Sequence, residues 1–123
     1  MGYETYYSLT IRDRDGKEVT EQTLKAIISS HRTQQYEELY ALEDDGSSVQ
    51  GATWYGHEEH MIALSTEYPG LVFELYGKGN NSEDIWYKYF HDGKIQLCPA
   101  IITFDEFDVK KLKEPDEVRA WKP

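Results

Sequence analysis

The stretch from Trp54 to Leu97 constrains what this chain can fold into more than any other part of it. It opens with Trp54-Tyr55-Gly56-His57-Glu58-Glu59-His60-Met61 and predicts a helix over about His57–Glu67. Met61, Leu64 and Tyr68, with Ile62 beside them, make its apolar stripe, and Glu58, Glu59, Ser65 and Thr66 fall nearer solvent. Pro69-Gly70 ends that helix. Leu71–Tyr76 follows as a strand with Leu71, Phe73 and Leu75 on one face, and Gly77–Glu83 reads as a flexible loop. A hairpin then runs from Ile85 to Leu97, turning on Asp92-Gly93. Ala100–Phe104 is a further apolar run, cut off by Pro99, and reads as an edge extension or a separate short piece.

Upstream, Tyr3, Thr5, Tyr7, Leu9 and Ile11 alternate with Glu4, Tyr6, Ser8 and Thr10, the period of a half-buried strand. After the Asp13–Lys17 turn, Thr20 is set to cap a helix over about Glu21–His31, with Leu24, Ile27, Ile28 and His31 at helical spacing. Tyr36–Glu43 and Val49–Tyr55 read as two strands around the Asp44-Asp45-Gly46-Ser47 turn. The order predicts an α+β fold, a ferredoxin-like β-α-β-β-α-β antiparallel sheet with two helices on one face and an appended C-terminal hairpin. Residues 1–108 form the expected domain, and 109–123 a charged tail or short helix.

The other sheet face is then open, and charge suggests what it can meet. The 123 residues carry 23 acids against 13 Lys and Arg, a net charge of −10. That field repels phosphate backbones and anionic membranes and favours cationic partners, so direct nucleic-acid binding is not expected. Ten tyrosines and an aromatic share of 14% can fill a small core despite 39% hydrophobic residues. The single Cys98 lies among apolar neighbours and reads as a buried, inert thiol of a reducing compartment. The Met-Gly-Tyr start has no signal-peptide form, and no apolar run approaches the ~20 residues of a membrane helix.

No pattern names a reaction, so no catalytic residue and no cofactor is expected. His57 and His60 share a helix face, but Met61 stands where the zinc-protease pattern needs its second histidine. His31 and His91 lie in or beside polar turns. Gly77-Lys78-Gly79 lacks the form of a phosphate loop. Tyr6, Tyr40, Tyr76, Trp86 and Tyr87 could stack bases on an open sheet, although core or cross-strand pairing is the plainer role for them. Acids and aromatics together suit a protein interface better. Glu58, Glu59, Glu83, Asp84, Asp44, Asp45, Tyr55 and Trp86 are the expected partner-binding residues. Glu37, Glu38, Glu43, Asp105, Glu106 and Asp108 are further acidic candidates.

Trp54-Tyr55-x-His57-Glu58-Glu59-x-Met61, Tyr68-Pro69, Gly77-x-Gly79, Asp84-Ile85-Trp86-x-Lys88-Tyr89-Phe90 and Ile102-Thr103-Phe104-Asp105-Glu106-Phe107 resemble a family of small phage and prophage proteins. The resemblance spans residues 54 to about 108. The chain departs from it at Gly56 and His60, where the family pattern has Asp. It implies a phage setting, in which small acidic inhibitors of host defence, anti-CRISPR proteins among them, are common. The expected partner is therefore a host protein with a basic nucleic-acid-binding surface, met in a bacterial cytoplasm. A small-ligand or nucleotide-signal binder using the open sheet face is the alternative.

Overall fold

The structure is a computed structural model and describes residues 4–34, 42–48 and 54–119. It is an α+β fold on an open, four-stranded antiparallel sheet. The strands β1 (Thr5–Arg12), β2 (Val72–Gly79), β3 (Ile85–His91) and β4 (Lys94–Pro99) lie side by side in chain order. The helices α1 (Glu21–Gln34) and α2 (His57–Glu67) come between β1 and β2, and a short helix α3 (Pro115–Arg119) follows the sheet. The strands expected over 36–43 and 49–55 lie almost wholly outside the described residues.

Alternation decides which face is covered. Register pairs Leu9 with Leu75, Ile11 with Phe73, and Phe73 with Phe90. These residues point the same way, and Ile27, Ile28, Met61 and Leu64 from the two helices complete one core with them. Fully burying each such side chain is worth about 1.5–3 kcal/mol, so this layer carries most of the drive to fold. Thr20 caps α1 as its sequence suggests, its Oγ1 accepting from the Thr23 amide at 3.2 Å. The turn between β3 and β4 places Asp92 at φ 49 and Gly93 at φ 80, the left-handed pair that a two-residue hairpin turn needs.

Several expectations need correction. Gly77 and Gly79 belong to β2, not to a loop. Gly77 pairs with Trp86, and a Cβ there would stand 2.2 Å from the indole, so the missing side chain is what lets the ring lie over the strand. Ser65 is buried: its hydroxyl donates to the Ile62 carbonyl and accepts from the Gly93 amide, tying α2 to the β3–β4 turn. His31 sits on α1, buried, with its ring nitrogens on the Ile27 carbonyl and on Glu67 of α2. Cys98 is only half-buried, because position 98 alternates onto the open face and β4 is an edge strand. The run Ala100–Phe104 is irregular and exposed; among the described residues its one backbone bond runs from the Ala100 amide to the Ile85 carbonyl.

Candidate functional site

The Asp44-Asp45-Gly46-Ser47 turn is laid against the outer edge of β1. The Leu9 amide donates to the Gly46 carbonyl at 2.7 Å, the Ser48 amide to the Tyr7 carbonyl at 2.8 Å, and the Tyr7 amide to Ser48 Oγ at 2.6 Å. On the other side, the Val19 amide donates to the Ile11 carbonyl and brings the start of α1 to the same edge. Between the two runs a groove of about 440 Å³, with Leu9, Ile11, Val19 and Leu24 among its walls. Glu18, Glu21, Asp44 and Asp45 border it, against one cation, Lys25. Asp45 Oδ1 accepts from the Ser47 hydroxyl and amide, and those bonds hold its carboxyl below the usual range, so it stays ionised. Apolar walls edged by carboxylates suit an extended cationic side chain, whose stem and head need different surroundings.

A second constellation surrounds the first turn of α2. Trp54 is buried, and its indole N–H donates to His60 Nδ1 at 2.9 Å. His57 stacks on Trp86 with ring centroids 5.4 Å apart. Its Nδ1–H donates to the Trp54 carbonyl at 2.9 Å, so Nε2 is left as an acceptor for Lys88 at 2.7 Å. Lys88 is buried, gives a second bond to Glu58 at 2.6 Å, and lies 4.2 Å from the Trp86 ring centroid. Its cation is thus fully engaged within the fold. Beside it a shallower hollow of about 210 Å³ is lined by Thr5, Tyr55, Asp84 and Trp86, among others.

This cluster should make stability fall in acid. Burial lowers the His57 pKa from its ordinary 6.5, and the Lys88 charge acts in the same direction. The hydrogen bond from Lys88 holds Glu58 below its ordinary 4.5. Both groups take up a proton more readily when unfolded, so what they contribute is complete above the unfolded pKa and is lost as pH falls. The midpoint of thermal unfolding is expected to drop from about pH 6.5 downward through His57, and again below about pH 4.5 through Glu58. His57→Gln should flatten the upper part of that profile; an unchanged slope would remove His57 as its source.

The open face carries a row of tyrosines. Tyr76 and Tyr87 lie 5.2 Å apart, and Tyr87 and Tyr89 stack at 6.1 Å, with Tyr6 exposed on β1. Trp86 is not among them, because alternation turns it to the helix side, where it meets His57. Tyr40 lies outside the described residues, as do Glu37 and Glu38.

The expected partner-binding residues therefore divide between two places. Asp44 and Asp45 border the groove on β1; Tyr55, Asp84 and Trp86 line the hollow near α2. Glu58 is spent on Lys88, while Glu59 and Glu83 stand exposed. Sequence reasoning missed Glu18 and the groove role of Glu21, and no local signal pairs them with Asp44. It also missed Lys88, although alternation puts that residue on the face of Trp86 and Phe90, where a lysine demands a buried partner. Among the described residues no group of three or more acids, histidines or cysteines is arranged to hold a metal ion, and no helix is long and apolar enough to cross a membrane. Comparison with protein-family models, with curated proteins and with solved structures finds no match.

Proposed function

We propose that this is a non-enzymatic binding protein that covers the basic, nucleic-acid-binding surface of another protein, as anti-CRISPR inhibitors of phage origin do. The observation that carries the reading is the acid-bordered groove on β1. Glu18, Glu21, Asp44 and Asp45 offer four carboxylates around apolar walls, in a chain of net charge −10. Lys or Arg side chains of a nucleic-acid-binding face match that arrangement in both stem and head. Such a partner fits the bacterial cytoplasm, and the resemblance of residues 54–108 to small phage proteins fits the same setting. The scaffold in this reading is the ferredoxin-like plan, in which β1 pairs antiparallel with the strand after the second helix.

The test is capture of host proteins on the immobilised chain, followed by competition with labelled DNA for each captured protein. Binding should be strong at low salt, fall steeply as salt screens the charges, and exclude DNA. Exposed ion pairs contribute ~0.2–1 kcal/mol each. Glu18→Gln, Glu21→Gln, Asp44→Asn and Asp45→Asn together should therefore weaken binding by about tenfold or more. An empty capture at low salt, or a partner held equally by the fourfold variant, would overturn the proposal.

The tyrosine row supports one other reading, a binder of small aromatic ligands or nucleotide signals on the open sheet. Base stacking on aromatics contributes ~1–3 kcal/mol per base. A rise in the thermal midpoint with added nucleotides, abolished by Tyr87→Ala, would favour it.

A further inference from the structure

The side of β4 that faces the helices is unfinished. Phe90 pairs with Ile95 and Lys88 with Leu97, so Ile95, Leu97 and Pro99 point toward the helix layer. Phe90 is buried there, yet Ile95 is 42% and Leu97 57% exposed, so α2 touches β4 without covering these side chains. The backbone edge of β4 away from β3 has no neighbouring strand among the described residues. An apolar, unpaired edge strand is a surface that proteins ordinarily cover or blunt.

The segment that follows β4 has the opposite deficiency. Every described residue from Pro99 to Glu117 is exposed. Ile101 at 88%, Phe104 at 89% and Phe107 at 81% stand out, with Ile102, Val109 and Leu112 also exposed. Single exposed apolar residues are ordinary, but six within twelve positions need a partner. The arm does not turn back over its own β4. No turn interrupts residues 100–108. A chain leaving the end of a strand without a turn continues beyond that strand.

We propose that two copies of this chain exchange these arms, each arm lying along the exposed β4 of the other copy about a two-fold axis. The uncovered face and the apolar segment to cover it occur in the same chain, as an isologous contact requires. Phe104 and Phe107 each bring about 150–250 Å². Two arms, with the faces they cover, then reach the ~1,200–2,000 Å² of a stable interface. The acid-bordered groove lies on β1, at the far edge of the sheet, and stays open in such a dimer.

Sedimentation equilibrium of the full chain tests this without any other partner. The wild type should be dimeric at micromolar concentration. Phe104→Glu with Phe107→Glu, and separately Ile95→Glu with Leu97→Glu, should each raise the dimer dissociation constant by about a hundredfold. All four side chains are exposed, so both variants should keep the wild-type circular-dichroism spectrum. An equimolar mixture of the two variants should associate again, because the mixed pair retains one intact arm on one intact face. A wild type that stays monomeric up to about 100 µM overturns the proposal. So does a variant that dimerises as tightly as wild type, or a mixture that fails to recover association.

Discussion

Trp54→Ala is expected to remove about 3–5 kcal/mol of stability, the range for truncating a large buried aromatic. Trp54 is 2% exposed and joins β1 to α2. Its ring stands edge-on to Tyr7 of β1 at 5.2 Å, its N–H donates to His60 of α2, and its carbonyl accepts from the His57 ring. Alanine leaves a cavity under the first turn of α2 and deprives His60 Nδ1 of its donor. Small domains have only ~5–15 kcal/mol in total, so this one change should leave a marginal fold. Trp54→Phe keeps part of the ring and loses the hydrogen bond, so about 1–3 kcal/mol is expected. Urea unfolding followed by circular dichroism measures both. An alanine variant within 1 kcal/mol of wild type would mean that Trp54 does not hold α2 to the sheet.

That anchoring role was only partly legible in the sequence, and the reason is general to this molecule. Local signals were readable: the alternation of Thr5–Ile11, the bounds of α2 at His57 and Glu67, and the Asp92-Gly93 turn all appear where the residue types place them. What depends on two distant segments meeting was not. Gly77 looks like loop glycine until Trp86 is seen to lie over it. Ser65 looks like a solvent-facing residue until the Gly93 amide is found on its hydroxyl. The groove joins Glu18 and Glu21 to Asp44 and Asp45 through the two edge contacts of β1, and nothing in either segment alone encodes that meeting. Lys88 is the intermediate case: its face follows from alternation, but its partners Glu58 and His57 come from a helix thirty residues away.

Those edge contacts can be tested without altering any charge. Gly46→Ala is expected to cost about 2–4 kcal/mol and to abolish binding of the proposed basic partner along with it. Two effects combine. Gly46 has φ 89, where an L residue is strained by ~1–2 kcal/mol. Its Cβ would also stand 2.4 Å from the Leu9 carbonyl oxygen, a backbone atom that cannot swing aside. Relief requires the turn to lift from β1, which loosens the Leu9–Gly46 and Ser48–Tyr7 hydrogen bonds at ~0.5–1.5 kcal/mol each. Asp44 and Asp45 would then retreat from Glu18 and Glu21, and the groove would lose one wall with all four carboxylates still present. Gly16→Ala is the matching control. It has φ 84 but open space around the new Cβ, so it should show the backbone strain alone and leave binding intact. Chemical unfolding of the two variants, with partner binding measured below their unfolding transitions, separates the effects. If Gly46→Ala proves no more damaging than Gly16→Ala, the turn is not fixed to β1 as described, and the groove cannot be the surface that selects the partner.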